Sequence, residues 1–439
     1  MSNSSRKDEF YYADYLKLPT LFAAQQPESA RHGRPAHDEM LFIVVHQTYE
    51  LWFKQILHEL DRIQADFGGE VVEDEYLGRI VRGLERINEI LKLLIQQLEV
   101  LETMTPLDFL DFRDFLIPAS GFQSAQFRLI EIRLGLARAM RSDYAGKPFD
   151  DTLSEADRAR ISDAERAPKL VDQLDRWLSR TPFVHRSDYD FSREYRTAVQ
   201  RMLEDDAARL RANQAMSPEQ REAEAKRIEG SLAEFQAIFA AASDPSPWQM
   251  SRAAVQAALF IIVYRDRPVL QPPFRLLAAL MGVDELLSLW RYRHALMVQR
   301  MIGVKIGTGG SAGHDYLRDT AAKHRIFSDL FRLSTYLIPR SRLPKLPREL
   351  EDAMGYRYSA GPSADDPRSA RPFLRVSRRA ARTHSSRRAQ PSFLAGRGVR
   401  GASPRAQRRR AARRRQMGRD LWRIDSARAA RHRRDARAA

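Results

Sequence analysis

The sequence predicts an all-α protein, and three observations predict it. Apolar residues recur at spacings of three and four over long stretches, the alternating Val, Ile and Thr runs that mark strands are nearly missing, and Pro and Gly punctuate the connections. The first long helix is expected at 38–67, where Phe42, His46, Tyr49, Phe53 and Ile56 share one face. Asp38 and Glu39 are expected to cap it and charge its first turn. A second follows at 74–102. Next comes LDFLDFRDFLIPASGFQSAQFRLIE, which clusters Phe109, Phe112 and Phe115 and puts Arg113 four residues after Phe109, on the same helical face. Ser120, three residues before Gln123, reads as the N-cap of a capping box opening a helix at 120–140. Between 141 and 246 the helices, among them 192–212 and 218–241, become charged and less apolar, as expected of a peripheral insertion on the main bundle. Further helices are expected at 247–264, 283–303 and 312–336. In the second of these Leu287, Trp290, His294, Met297 and Met301 form one stripe, and the glycine-rich GTGGSAG, 307–313, comes after it.

The net charge of +16 is unevenly placed. Residues 349–439 hold 25 Arg, no Lys and 8 acidic residues, a net of +17, which leaves 1–348 at −1. The body is therefore electrically neutral, and a nucleic-acid reading attaches to the tail alone. From about 355 onward Arg, Ala, Ser, Pro and Gly dominate, a composition that builds no packed core, so the tail is expected to be disordered. It reads as a polyanion-binding arm, as a solvated segment without a role, or as GC-rich DNA translated out of frame, since the body uses 38 Arg beside 10 Lys. Two units are expected: an all-helical body at 1–348 and the tail at 349–439.

Cysteine is absent, which excludes disulfides, thiolate metal sites, cysteine nucleophiles and covalent c-type haem attachment. The N-terminal MSNSSRKDEFYYADYL lacks the apolar core of a signal peptide, and no run of about eighteen apolar residues spans a bilayer. A cytoplasmic protein with no membrane partner is expected.

Taken singly, the chemistry-bearing residues leave alternatives open. His46 and His294 each sit on an apolar helix face, where an imidazole is a satisfied core residue, a ligand or a catalyst. His37, Asp38 and Glu39 give a His-x-Glu spacing that would suit an iron site only with a second histidine nearby. His58 is followed four residues later by Arg62, so no zincin motif is present. GTGGSAG lacks the Lys and Ser or Thr that close a phosphate cradle, yet its glycines admit close backbone approach, the helix start behind it favours an anion, and Thr308 adds a hydroxyl. Arg113 is paired internally or binds a carboxylate through its fork.

Together, HDEMLFIVVHQTYELWFKQILHEL, LDFLDFRDFLIPASGFQSAQFRLIE, RYRHALMVQRMIGVKIGTGGSAGHDYLRDT and LFRLSTYLIPRSRLPK resemble, in order, signature stretches of the tryptophan 2,3-dioxygenase family. The resemblance runs from about Tyr12 to Pro347, is less distinctive at 141–246, and leaves the tail unmatched. It implies an all-helical haem enzyme that inserts both atoms of O₂ across the indole C2–C3 bond of L-tryptophan to give N-formylkynurenine, the first step of tryptophan degradation by the kynurenine pathway. It further implies a homotetramer with one haem b per subunit. On this resemblance His294 is the proximal iron ligand, and Phe42, His46 and Phe109 form the indole pocket. His46 hydrogen-bonds the indole N–H, Arg113 clamps the substrate carboxylate, Thr308 and its loop close over the amino-acid end, and Ser120 and Gly121 approach haem and substrate. YYADYLKLPTLFAAQQP resembles the family's N-terminal arm, with Tyr12 and Tyr15 reaching a neighbouring subunit. The chain departs from the family at Ala13, where a glycine is usual, and at Ile117, where a serine commonly precedes the proline. The competing readings are a related haem protein acting on another indole, a haem-binding protein without turnover, and a nucleic-acid-binding protein acting through the tail.

Overall fold

The computed structural model of the chain describes residues 11–69, 71–138, 153–213, 215–239, 246, 248–303 and 324–356. Among them no β-strand occurs; one isolated antiparallel bridge joins His185 to Asp190. The all-α class is thus correct. No helix among the described residues is long and apolar enough to cross a membrane. The Arg-rich segment from 357 to 439, with its expected disorder, lies outside the described residues, as do the GTGGSAG loop and Thr308.

Three long helices make the frame: α4 (Glu39–Phe67), α5 (Asp74–Leu101) and α13 (Gln271–Ile302). Helix α5 lies between the other two and buries Leu77, Ile80, Leu84, Ile87, Leu91, Leu94 and Leu98, a stripe at the three-and-four spacing of a core-facing helix. On α4 the facing residues are Phe53, Ile56, Leu60 and Ile63. Tyr49 bolts the pair by donating its hydroxyl to the Leu94 carbonyl at 2.7 Å, and Gln97 Nε2 donates to the Val45 carbonyl at 3.1 Å. The α5–α13 crossing is close because Gly282 has no side chain: a Cβ there would stand 3.0 Å from Asn88 Nδ2, which instead donates to the Ala279 carbonyl at 3.0 Å.

Shorter helices surround the frame. They are α1 (Tyr12–Leu16), α2 (Leu18–Phe22), α3 (Glu28–Arg31), α6 (Pro106–Arg113), α7 (Ala125–Leu134), α8 (Glu155–Arg166), α9 (Leu170–Leu178), α10 (Phe191–Arg211), α11 (Pro218–Ile238) and α12 (Arg252–Val263). Within 141–246, the amphipathic α9 buries Leu170, Leu174 and Leu178 and packs against α4 and α12, while Tyr195 of α10 donates to the Tyr336 carbonyl at 2.6 Å.

Four sequence expectations change. The helix expected at 120–140 is two pieces: the Ser120/Gln123 capping box is present but opens only a 3₁₀ turn, Gly121–Gln123, and Ser124 then caps α7 by accepting from Phe127 N–H at 3.2 Å. Helix α7 stops at Leu134 because Gly135 takes φ +122°. The helix expected at 283–303 begins twelve residues earlier, because Pro272 and Pro273 occupy its first turn, where proline's missing N–H has no intrahelical partner to lose. Asp38 makes no side-chain cap on α4; Glu39, fully buried, turns back and accepts from the N–H groups of Glu28 and Ser29 at 2.8 and 3.0 Å, capping α3 instead. Of the helix expected at 312–336, residues 312–323 lie outside the described residues and the rest is a short helix, Ser328–Arg332, running into a 3₁₀ turn, Leu333–Tyr336.

Candidate active site

A cavity of about 280 Å³ opens between α4, α6, α7 and α13. Phe42, His46, Phe109, Arg113, Ser120, Gly121 and His294 all line it. These residues span some 250 positions of sequence, and the fold brings them together. Helix α4 delivers Phe42 and His46 one turn apart; α6 delivers Phe109 and Arg113, and its start is fixed by a capping box in which Thr105 and Asp108 satisfy each other's backbone N–H groups.

The α4 and α6 side is aromatic. The Phe42 ring lies 5.7 Å from Phe109 and 5.6 Å from Phe112, and Phe109 meets Phe112 edge-on at 5.4 Å. Phe42 also stacks at a tilt on His46, with centroids 4.0 Å apart. His46 Nδ1 is 2.7 Å from the Phe42 carbonyl oxygen. A carbonyl only accepts, so Nδ1 carries the proton and Nε2 is left with its lone pair. Burial pushes the imidazole below its ordinary pKa, against weaker opposing effects of the Phe42 carbonyl and the Glu50 carboxylate. His46 is therefore a neutral hydrogen-bond acceptor at neutral pH.

The α13 side is apolar: Met297, Met301 and Ile302, with Leu98, Leu101 and Met104 from the end of α5 and the turn after it. His294 stands in this wall with its ring parallel to Trp290, centroids 5.1 Å apart and planes 7° from coplanar. Trp290 in turn meets Phe127 at 5.0 Å and Tyr49 at 6.1 Å. Burial, and then repulsion from His46, lower the His294 pKa to about 4, so its ring is neutral. His294 Nδ1 is buried without a hydrogen-bond partner among the described residues. A neutral imidazole, with one nitrogen lone pair available, in an apolar wall facing a cavity is what would hold a haem iron, and its orphaned nitrogen is not explained by core packing. The residues present fit that group.

The His37-x-Glu39 spacing, which would suit an iron site only with a second histidine nearby, gathers no such set among the described residues. Glu39 is occupied with the α3 amides, and among the described residues no group of three metal-ligating side chains occurs. Tyr12 and Tyr15 do not line the cavity; both are 70% exposed on α1. The periodicity also gave no sign of one end of the cavity, where Arg128, Glu131, Arg291 and His324 are all buried. The available signal was charge inside an otherwise apolar stretch, FRLIEIRL, in which five consecutive residues of α7, Arg128 to Ile132, are buried.

The family model described as tryptophan 2,3-dioxygenase matches residues 2–337. A curated relative of that name from Bdellovibrio bacteriovorus is 48% identical over 353 residues, covering 79% of this chain and 98% of its own. Proteins of the same name from Alteromonas mediterranea and Dictyostelium discoideum are 44% and 43% identical, covering 79% and 80% of this chain and 97% and 89% of their own.

Proposed function

Because this chain belongs to the tryptophan 2,3-dioxygenase family, we propose that the cavity between α4, α6, α7 and α13 is its active site, in which His294 would hold a haem b, one per subunit. The chain is an oxidoreductase that inserts O₂ across the indole C2–C3 bond of L-tryptophan, giving N-formylkynurenine and opening the kynurenine pathway. Enzymes of this family use haem, which when bound supplies O₂ binding and the redox chemistry.

The chain's own residues bind, orient and dry the substrate. Phe42 and Phe109 flank the indole, and the aromatic and methionine walls exclude water around it. His46 Nε2 accepts the indole N–H and so fixes which edge of the ring faces the oxygen site. Arg113, half-buried at the last turn of α6, takes the carboxylate through its fork. Thr308 and the glycine loop, which lie outside the described residues, would take the ammonium and carboxylate end, and Ser120 and Gly121, which line the cavity, would approach haem and substrate. Carrying this reading is the convergence of seven residues from 42 to 294 on one cavity with two neutral imidazoles in it.

The same reading includes a cytoplasmic homotetramer. Exposed Tyr12, Tyr15 and Phe22 on the N-terminal arm support it, as do the exposed apolar residues Leu93 and Val100 of α5 and Leu289, Tyr292 and Leu296 of α13. The test is an absorbance assay of the haem-reconstituted ferrous protein with L-tryptophan and air. N-formylkynurenine should accumulate in proportion to protein; a folded, haem-loaded sample that forms none would overturn the assignment.

A further inference from the structure

The short helix α3 and the chain that follows it form a self-locked unit. Its first amides, Glu28 and Ser29, are held by the buried Glu39 carboxylate. At its other end Arg34 N–H donates to the Ser29 carbonyl at 2.9 Å and Gly33 N–H to the Ala30 carbonyl at 3.1 Å, the paired bonds of a Schellman stop, with Gly33 at φ +71° supplying the left-handed residue. The fully buried Ser29 then accepts from Ala36 N–H through its hydroxyl at 3.0 Å. Turning the chain at a single glycine brings His32 and Arg34, two residues apart, to one neighbour. The His32 ring lies parallel to Phe115, with centroids 4.8 Å apart and planes 10° from coplanar, and the Arg34 guanidinium carbon stands 5.8 Å from the centroid of the same ring.

Phe115 belongs to the 3₁₀ turn Asp114–Leu116, which continues α6 without a break, and Arg113 is the residue at the junction. The direction in which a guanidinium leaves the backbone is set there, so a shift of the turn two residues on swings the fork away from its target. The turn is short and only partly inside: Phe115 and Leu116 rest on the core, while Asp114 and Ile117 are exposed. His32 and Arg34 add a second contact to the Phe115 ring from the α3 side. The residues that would meet the indole depend less on this turn, since Phe42 and His46 sit on α4 and Phe109 lies near the start of α6, which the Thr105/Asp108 box fixes. Resting on the assignment of Arg113 to the substrate carboxylate, we infer that His32 and Arg34 are positioning residues. By packing on Phe115 they hold the end of α6 in the orientation that presents Arg113 to that carboxylate. Neither is in the described lining of the cavity, so neither touches the substrate there.

The test uses the full-length haem-reconstituted enzyme, L-tryptophan as substrate, and two competing ligands: indole-3-propionate, which keeps the carboxylate, and tryptamine, which lacks it. His32→Ala, checked for fold by circular dichroism, should raise KM about two- to tenfold with kcat within about twofold, the pattern of lost ground-state binding. His32→Ala combined with Arg34→Ala should raise it further. Inhibition by indole-3-propionate should weaken in step with KM, while inhibition by tryptamine stays within about twofold of the unaltered enzyme. His32→Phe returns a flat ring to the stack and should lie within about twofold of the unaltered enzyme. A double variant with unchanged KM, equal weakening of both ligands, or His32→Phe as poor as His32→Ala would overturn the positioning role. Arg113→Met, measured beside them, separates the two ways of failing. If it weakens indole-3-propionate selectively and the double variant does not, only this inference falls; if it shows no such selectivity, the carboxylate reading of Arg113 falls and this inference with it.

Discussion

Replacing His46 by Ala and by Gln separates two jobs that the same position would serve. In this fold Nδ1–H is committed to the Phe42 carbonyl at 2.7 Å, which leaves Nε2 as acceptor, and burial makes the ring a weaker base than a free imidazole. An acceptor is what orients an indole N–H; a weakened base is poorly suited to remove its proton. In His46→Ala the indole N–H is left without a partner in an aromatic pocket, a cost of about 1–3 kcal/mol, or about 5- to 150-fold in kcat/KM. Gln puts a carbonyl oxygen close to the place of Nε2 without basicity, so His46→Gln should recover to within about tenfold of the unaltered enzyme. Initial rates of N-formylkynurenine formation, with tryptophan affinity measured separately on the ferrous protein, check both numbers. General-base catalysis predicts the opposite ordering: Gln as poor as Ala, each losing kcat by about 10²–10⁴-fold with binding intact. That result would refute the orienting role.

Three further outcomes are expected. Arg113→Met should lower kcat/KM for L-tryptophan by about 10- to 150-fold, as losing a charge-assisted pair costs about 1.5–3 kcal/mol. Tryptamine, which has no carboxylate, should respond by less than about threefold, and an equal loss on both substrates would show that Arg113 acts on the pocket's shape. Gly135→Ala should lower the thermal midpoint by several degrees, for about 2 kcal/mol or more, because φ is +122° and the new Cβ would sit 2.3 Å from Val171 Cγ1. An unchanged midpoint would mean that α7 does not need its sharp stop. The apoprotein should lose stability as pH falls from about 6.5, since His294, with a folded pKa of about 4, binds fewer protons folded than unfolded throughout that window. The slope per fully linked imidazole is about 1.4 kcal/mol per pH unit, and burial of His46 adds in the same direction. Urea midpoints between pH 6.5 and 5 measure it, and His294→Leu should flatten it; a flat profile in the unaltered apoprotein would contradict the buried, neutral ring.

The long helices were legible because their signal is long. Helices α4 and α5 carry apolar residues at every turn for seven turns or more, so their ends fall within a residue of expectation. Short or locally ambiguous features were not. Helices α6, α8 and α9 are each about three turns or fewer, and a stripe that short competes poorly with its flanking polar residues. The Pro272–Pro273 pair reads equally as a connection and as a first turn, and only packing of Leu276, Leu277 and Leu280 against the core decides for the helix. The Ser120 box was read correctly, but whether such a box opens an α-helix or a single 3₁₀ turn depends on the residues C-terminal to it, and Ser124 offers a second cap four residues on. At the site, periodicity placed His46 and His294 on inward faces. It could not reveal the Glu131–Arg291 bridge, whose partners are 160 positions apart and which depends on α7 being buried on all sides.

By hydrogen bonding alone His46, rather than His294, would be the residue to hold a haem. Metal-bound histidines usually donate their second nitrogen to an acceptor, and here it is His46, not His294, that does so within the described residues. The surroundings decide otherwise. A histidine that would hold a haem needs apolar surroundings and a ring kept from rotating, and His294 has both, in Met297 and Met301 and in the parallel face of Trp290. His46 stands among Phe42, Phe109 and Arg113, a set with an apolar slot for an indole and a cation for a carboxylate, which ligation by His46 would block. On the proposed reading the division of labour would stem from the unequal walls of one cavity: the methionine and Trp290 side would hold the cofactor through His294, and the phenylalanine side would leave His46 to read the substrate.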